Sequence, residues 1–365
     1  MGFSFNSLPI NTLVGADSRT FNRVTASVDI TNRRKYHITK ACERILSPIY
    51  SINNQEFRST VMPKISSPVF IIGHWRSGTT LLHNLLSCDP QFGYCTTYQT
   101  VFPHLMLYGE SLFKRLARWC MPATRPTDNL ELSVEQPQEE EFAIANMTPS
   151  SFYHFWIFPQ NMALYRNKYL LFDSATESEV SEFCNATYKM MQIALHCQNR
   201  PRFLSKNPPH TARIALLLKM FPDAKFIYIV RNPYKVFHST RNFFRTTLDS
   251  IALQSISDTE LDYQILSTYK AMIERYEKQR NLIAPNRLFE IRFEDLQADM
   301  AGSIAKIYEH LDLGDFTTVQ NSVTDYAASK SGFRQNRYKS DRATNNRIEH
   351  FCSSTIERWG YRLTD

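Results

Sequence analysis

A short loop in the first third of the sequence combines glycine, arginine and hydroxyl side chains. In chain order it contains Gly73, His74, Trp75, Arg76, Ser77, Gly78, Thr79 and Thr80. The glycines permit a tight turn, and Thr79 and Thr80 are suited to cap the helix that the next leucines predict. A loop of this kind directs several backbone N–H groups toward one point above a helix N-terminus. The pattern therefore predicts an anion site, with phosphate as its usual ligand.

The loop departs from the ATP-binding pattern in one respect. The motif G-x-x-x-x-G-K-[ST] needs a lysine after the second glycine, and Thr79 stands there. Positive charge comes earlier, at Arg76. The missing lysine and the early arginine favour a ligand with a single phosphate that carries the group to be transferred, and disfavour a magnesium-bound triphosphate. A nucleotide-dependent kinase is the alternative enzyme, and a glycine turn that binds nothing is the structural alternative.

A second group of polar residues follows two later predicted strands. Arg231 ends the strand predicted from Phe226 to Val230, and Ser239 lies eight positions further on, in the helix that begins after Asn232-Pro233. An arginine fork and a hydroxyl in this arrangement can face one anion. Lys206 ends another predicted strand, where open parallel sheets bind ligands.

Three consecutive glutamates, Glu139 to Glu141, follow Pro137. Acidic residues in a first helical turn complement the helix dipole, and that explanation needs no chemistry. The alternative is that one carboxylate acts as a general base. Neighbouring positions are about 100° apart around a helix, so at most one or two carboxylates reach a cleft. The residues leave the choice open between Glu139 and Glu140, with Glu141 third.

Aromatic residues and histidines suggest an acceptor pocket. Phe102, His104, Tyr153 and Trp156 lie in aromatic segments that either line a pocket or fill the core. His74 and His104 are the reserve candidates for the base if no glutamate acts.

These residues need a sheet to position them. The apolar run Val69 to Ile72 predicts a buried strand, and Leu288 to Phe293 a last one. The expected fold class is therefore α/β, a P-loop-like three-layer fold with a mostly parallel central sheet flanked by helices. Residues 1–65 are expected to form a helical extension packed on a single domain, 66–365.

Composition excludes several classes of function. The chain has 365 residues, a net charge of +7 and seven dispersed cysteines. Its basic residues form no long run with interleaved aromatics, so nucleic-acid binding is not expected. No apolar run reaches the roughly 18 residues of a transmembrane helix, and the N-terminus lacks signal-peptide features. The cysteines lack metal-ligand spacing and indicate reduced thiols in the cytoplasm, with no metal.

Several strings together resemble a known family. RSGTT at 76–80 and the Arg-x7-Ser spacing resemble the phosphate sites of sulfotransferases that use 3′-phosphoadenosine 5′-phosphosulfate (PAPS). The strings PQEEEFA, KNPPHTARI and FPDAKFIYIVRNPYKVFHST are similar to the bacterial-type branch, whose phosphate loop is close to that of tyrosylprotein sulfotransferases. The resemblance covers roughly residues 67 to 320.

The resemblance implies a reaction and a set of roles. PAPS would donate its sulfuryl group to a hydroxyl of a small molecule, natural product or lipid, leaving adenosine 3′,5′-bisphosphate (PAP). Arg76 and the backbone of residues 77–80 would hold the 5′-phosphate, and Arg231 with Ser239 the 3′-phosphate. Lys206 and His74 would lie near the sulfuryl group. No metal is needed, and a catalytically inactive nucleotide-binding scaffold is the remaining alternative.

Other implied roles are less direct. The resemblance favours the front of the glutamate run, hence Glu139, then Glu140. Leu81 stands where cytosolic sulfotransferases carry an adenine-stacking tryptophan, so Trp75 is the candidate for that contact. Arg334, Arg337 and Lys339 lie in a basic segment that either closes over the phosphates or forms a surface tail.

Overall fold

The structure is a computed structural model that describes residues 9–26, 28–107, 111, 113–115, 133–330 and 340–363. Its contacts divide the chain into two compact units. The first contains Met1–Ile65, Tyr94–Arg200 and Phe243–Ser257, and the second contains Ser66–Gly93, Pro201–Asn242 and Asp258–Asp365. Grouping by contacts does not say which parts fold alone, so the predicted division into 1–65 and 66–365 stays a prediction.

The second unit contains a five-stranded sheet in which every pair of neighbours is parallel. Its strands are β1 (Val69–Ile72), β2 (Phe92–Gly93), β3 (Arg202–Lys206), β4 (Lys225–Val230) and β5 (Leu288–Arg292). Their spatial order is β2-β3-β1-β4-β5. The chain leaves β1 for one edge of the sheet and leaves β4 for the other. Such a reversal opens a crevice outside the carboxyl ends of the two strands, where α/β sheets bind ligands.

Helices make up most of the rest of the described chain. The α-helices are α1 (Ser18–Thr25), α2 (Arg33–Ser59), α3 (Thr79–Leu86), α4 (Thr97–Val101), α5 (Glu141–Met147), α6 (Met162–Tyr165), α7 (Glu177–Gln198), α8 (Ile214–Met220), α9 (Pro233–Ile251), α10 (Asp258–Gln279), α11 (Phe293–Ala298), α12 (Met300–Leu311), α13 (Gln320–Lys330) and α14 (Arg342–Trp359). Short 3₁₀ segments include Phe152–Trp156 and Pro208–Ala212. No helix in the described ranges is both long enough and apolar enough to cross a bilayer.

The sheet is buried on both faces. Side chains alternate along a strand, and Ile71 and Ile229 pack in one apolar cluster with Leu82 of α3 and Ile307 of α12. On the opposite face, the ring of Tyr228 stacks on Tyr276 of α10 with centroids 3.9 Å apart. Burial on both faces is what a parallel sheet covered by helices requires. The predicted α/β fold with a flanked parallel sheet is confirmed.

Candidate active site

The loop after β1 has a backbone that requires glycine at two positions. Gly73 and Gly78 have φ values of +145° and +106°. A Cβ on Gly73 would lie 2.3 Å from Ile229 O, and one on Gly78 would lie 2.3 Å from Phe293 Cδ2. Arg76 also has a positive φ, +66°, which costs a non-glycine residue on the order of 1 kcal/mol. Strain at the charged residue of the loop is typical of a functional turn.

Helix α3 begins directly after Gly78, which is its N-cap and gives no side-chain hydrogen bond. The prediction that Thr79 and Thr80 cap the helix is wrong, because they are its first two residues. Because Gly78 adopts the left-handed conformation and is the N-cap, the loop ends one residue before the predicted cap at Thr79. With no side-chain acceptor from the cap, the first-turn N–H groups suit an external anion.

The two predicted anion motifs meet in the second unit. Arg76 Nε donates to Ser239 Oγ at 2.9 Å, and Arg231 Nη1 donates to Arg76 O at 3.0 Å. Arg76 follows β1, Arg231 follows β4, and Ser239 lies on α9. Two guanidinium groups and a hydroxyl thus converge at the carboxyl ends of the two central strands, where the crevice was expected.

Lys206 is buried at the end of β3, in the strand register next to Ile71 of β1. Its neighbour His83 on α3 was not predicted as a site residue. Burial, together with the charge of Lys206, lowers the pKa of His83 well below its ordinary value. The available signal was its position four residues after Thr79, hence on the same helix face.

His74 and Trp75 are both enclosed. His74 Nδ1 donates to Trp75 O at 3.0 Å, and its ring centroid lies 4.8 Å from that of Tyr269. Burial lowers the pKa of His74 to about 4, so the imidazole is neutral at pH 7. Trp75 is 2% exposed, so stacking of adenine on it would require the ring to move.

Thr211 is a second residue that sequence reasoning missed. Its buried Oγ1 accepts from Gly73 N at 2.7 Å and lies 3.2 Å from Gly73 O. It lies in the segment Pro208–Ala212 after β3. This side chain holds the start of the loop after β1. Its only sequence signal was its place in the string KNPPHTARI.

The glutamate run lies in the first unit, and its three carboxylates have different surroundings. Glu139 Oε2 accepts a hydrogen bond from Tyr153 OH. Glu141 Oε1 accepts from Ser151 Oγ at 3.0 Å and from Phe152 N at 3.2 Å. Glu141 therefore supports the start of the 3₁₀ segment Phe152–Trp156, whose N-cap is Ser151. Glu140 is buried and precedes α5.

Two of the predicted pocket residues accompany Glu139. Tyr153 and Trp156 pack around Phe142, with ring centroids 4.7 Å and 6.3 Å from it. Trp156 also packs against Phe243, with ring centroids 5.4 Å apart. Phe142 and Phe243 are half-buried, so this aromatic cluster has a surface that a ligand could reach.

The other two predicted pocket residues lie elsewhere in the first unit. Phe102 packs on Tyr98, with ring centroids 5.9 Å apart. His104 Nε2 donates to Asn146 O at 3.2 Å, and its ring lies 5.4 Å from Tyr50 of α2. Burial lowers the pKa of His104. Both side chains pack beside residues of α2, and neither belongs to the aromatic cluster around Glu139.

Some predicted features lie beyond these two groups. Arg334, Arg337 and Lys339 fall outside the described residues. Within the described ranges, no three histidine, cysteine, aspartate or glutamate side chains are placed to hold a metal ion. The expectation of a metal-free reaction stays a prediction.

Comparison with known proteins supports one family. Residues 68–317 match the model of the sulfotransferase family. The chain is 33% identical over 294 residues to the omega-hydroxy-beta-dihydromenaquinone-9 sulfotransferase Stf3 of Mycobacterium bovis, covering 80% of this chain and 75% of the relative. The corresponding protein of Mycobacterium tuberculosis matches to the same extent.

Solved structures show the same fold. Sulfotransferase STF9 from Mycobacterium avium superposes with a TM-score of 0.70 at 19% identity, covering 95% of this chain and 93% of that one. Sulfotransferase STF1 from Mycobacterium tuberculosis gives 0.63 at 16% identity, covering 91% and 90%. The family match spans more than half of the chain and the mycobacterial relative exceeds 30% identity, so this chain belongs to the sulfotransferase family and transfers a sulfuryl group.

Proposed function

We propose that the protein moves the sulfuryl group of PAPS to a hydroxyl of an apolar small molecule or lipid. The observation that carries this proposal is the pair of contacts that join Arg76 to Ser239 and Arg231 to Arg76. A 3′,5′-bisphosphorylated adenosine carries two anionic groups on one ribose, and it needs two neighbouring anion sites. The position of the triphosphate lysine is occupied by Thr79, which disfavours a kinase.

The donor nucleotide would be held by groups of both sites. Arg76 and the backbone N–H groups of residues 77–80 would bind the 5′-phosphate, and Arg231 with Ser239 the 3′-phosphate. Ser239 Oγ accepts from Arg76, so its own proton is directed to another acceptor, such as a phosphate oxygen. The hydrogen bond between Arg76 and Ser239 would therefore couple the two phosphates.

The reaction then requires alignment, charge stabilisation and one proton acceptor. The acceptor oxygen forms a bond to sulfur as the bond from sulfur to the bridging oxygen of the 5′-phosphate breaks. Glu139 would take the hydroxyl proton, oriented by Tyr153, with Glu140 as the second candidate. Lys206 would stabilise the charge that develops on the leaving phosphate. Neutral His74 would shape the loop, since it carries no charge at pH 7.

The acceptor is inferred from the aromatic cluster. Phe142 and Phe243 are half-buried and both pack on buried Trp156. Their exposed apolar surface favours a hydrophobic molecule with a terminal hydroxyl. The mycobacterial relative is named for an omega-hydroxylated menaquinone, and we extend that chemical class to this chain. Six described cysteines are free thiols, which supports the proposed cytoplasmic location.

The proposal is tested by turnover. Purified protein is incubated with PAPS and a panel of hydroxylated acceptors that includes omega-hydroxylated isoprenoid quinones, and PAP release is measured. PAP should form only when an acceptor is present. Glu139→Gln serves as the matched low-activity control. Binding of PAPS without release of PAP for any acceptor would favour an inactive scaffold, and phosphoryl transfer from ATP with magnesium would favour the kinase.

A further inference from the structure

The phosphate loop and the arginine after β4 share one aromatic neighbour, Phe293. Phe293 is the first residue of α11 and directly follows β5, which pairs with β4 up to Val230 and Arg292. It is 9% exposed. This position puts its side chain at the carboxyl end of the sheet, next to the strand that delivers Arg231.

One face of the ring supports Arg231. The guanidinium carbon of Arg231 lies 4.4 Å from the centroid of the Phe293 ring, which is a cation–π contact. Arg231 Nη1 meanwhile donates to Arg76 O. The guanidinium thus has two contacts that limit its position, the Phe293 ring and the carbonyl of Arg76.

The edge of the same ring fills the space beside Gly78. A Cβ on Gly78 would lie 2.3 Å from Phe293 Cδ2 and 3.0 Å from Cε2. Since Gly78 is the N-cap of α3, the ring contacts the residue at which the phosphate loop turns into its helix. Phe293 therefore contacts both motifs that the proposed donor needs.

Hydrogen bonds tie the chain beside Phe293 to the chain beside Arg231. Glu294 Oε1 accepts from Asn232 N at 3.3 Å, and Glu294 Oε2 accepts from Tyr361 OH at 2.9 Å. Asn232 Nδ2 donates to Arg362 O at 2.8 Å. The residue after Phe293 is thereby bonded to the residue after Arg231, and both are bonded to the C-terminal segment.

We propose that Phe293 is a positioning residue for the donor nucleotide, holding Arg231 and Gly78 at the separation that two phosphates on one ribose require. The inference rests on the proposed function. It concerns the 3′-phosphate above all, because the cation–π contact is made to Arg231. Loss of the ring should let the guanidinium leave its binding rotamer without removing any group that touches the 5′-phosphate.

The test compares PAP with AMP, which lacks the 3′-phosphate, by titration calorimetry on the full chain. Phe293→Leu keeps apolar bulk beside Gly78 and removes the ring. Its affinity for PAP should fall by roughly 3- to 30-fold, the range that corresponds to a lost cation–π contact. Its affinity for AMP should stay within about twofold of wild type. Phe293→Tyr keeps the ring and should bind PAP as wild type does.

A matched control separates positioning from general destabilisation. Leu296 lies on the same helix and is buried in the core, so Leu296→Val disturbs packing without contacting Arg231. This variant should lose stability and keep the wild-type ratio of PAP to AMP affinity. If Phe293→Leu also keeps that ratio, or if Phe293→Tyr loses it, the positioning role is wrong. If wild type itself fails to prefer PAP over AMP, the proposed function fails as well.

Discussion

Arg76 Nε donates to Ser239 Oγ at 2.9 Å, although 163 positions separate the two residues. The contact joins the loop after β1 to the helix after β4. One hydrogen bond to a charged group contributes about 1.5–3 kcal/mol. The importance of this contact is geometric, because it makes two anion motifs neighbours.

Arg231→Ala should weaken binding of PAPS by about 1.5–3 kcal/mol, the usual contribution of a hydrogen bond to a charged group. It should also abolish the preference for PAPS over adenosine 5′-phosphosulfate, which has no 3′-phosphate. Calorimetric titration with both nucleotides measures this. Arg241→Ala is the control, since Arg241 pairs with Asp262 at 2.6 Å and should leave the preference intact. Equal loss for both nucleotides would remove Arg231 from the 3′-phosphate site.

Glu139→Gln should lower kcat by about 10²- to 10⁴-fold, because a general base contributes that much. Donor affinity should hardly change, since the carboxylate acts on the acceptor. Single glutamine variants at Glu140 and Glu141, assayed for kcat and PAPS binding, complete the series. A large kcat loss at Glu140 alone would move the base by one residue. Near-normal kcat in all three would leave the run without a catalytic role.

Glu141→Ala should lower the free energy of unfolding by about 2–3 kcal/mol, because Ser151 Oγ and the buried N–H of Phe152 lose their hydrogen-bond acceptor. Urea denaturation measures the change. Glu135→Ala is the matched control: its carboxylate is 47% exposed and pairs with Lys114 at the surface, so it should cost less than about 0.5 kcal/mol. Equal stability of the two variants would mean that Glu141 does not support the 3₁₀ segment.

Stability should fall as the pH is lowered from 7 to 5. Burial lowers the pKa values of His74 and His154 to about 4 in the folded protein, against about 6.5 in an unfolded chain. Between these pKa values the unfolded chain binds more protons than the folded protein, so acid favours unfolding. At pH 5 the free energy of unfolding should be lower by about 2 kcal/mol per histidine. His154→Gln keeps a donor for Thr148 O and should reduce this loss by that amount. If the stability of the variant depends on pH as that of wild type does, the lowered pKa of His154 is not a source of the acid destabilisation.

The fold and the glycine turn after β1 followed from the sequence because their signals are local. Glycine spacing, an apolar strand before the loop and leucines at helical spacing all lie within residues 69–86. The predicted N-cap of α3 was wrong because only the backbone reveals that Gly78 adopts a left-handed conformation. In the sequence, a threonine at the N-cap and a threonine at the first position of the helix look the same.

Contacts between distant residues explain what sequence analysis missed. Thr211 bonds to Gly73 across 138 positions, and nothing near either residue indicates the other. Composition also does not separate a pocket wall from a core, which is why Phe102 and Trp156 gave the same prediction. The surroundings of Glu139 and Glu141 differ because each carboxylate bonds to a different residue, Tyr153 or Ser151, ten or more positions downstream.

The most direct test of the account is the melting temperature of the purified protein with PAP in the absence of magnesium. A ligand that binds only the folded protein raises its stability by about 2.7 kcal/mol at a hundredfold excess over Kd. The two joined anion sites predict a rise with PAP, a smaller rise with AMP, and none that depends on magnesium. Stabilisation by ATP with magnesium but not by PAP would contradict the account.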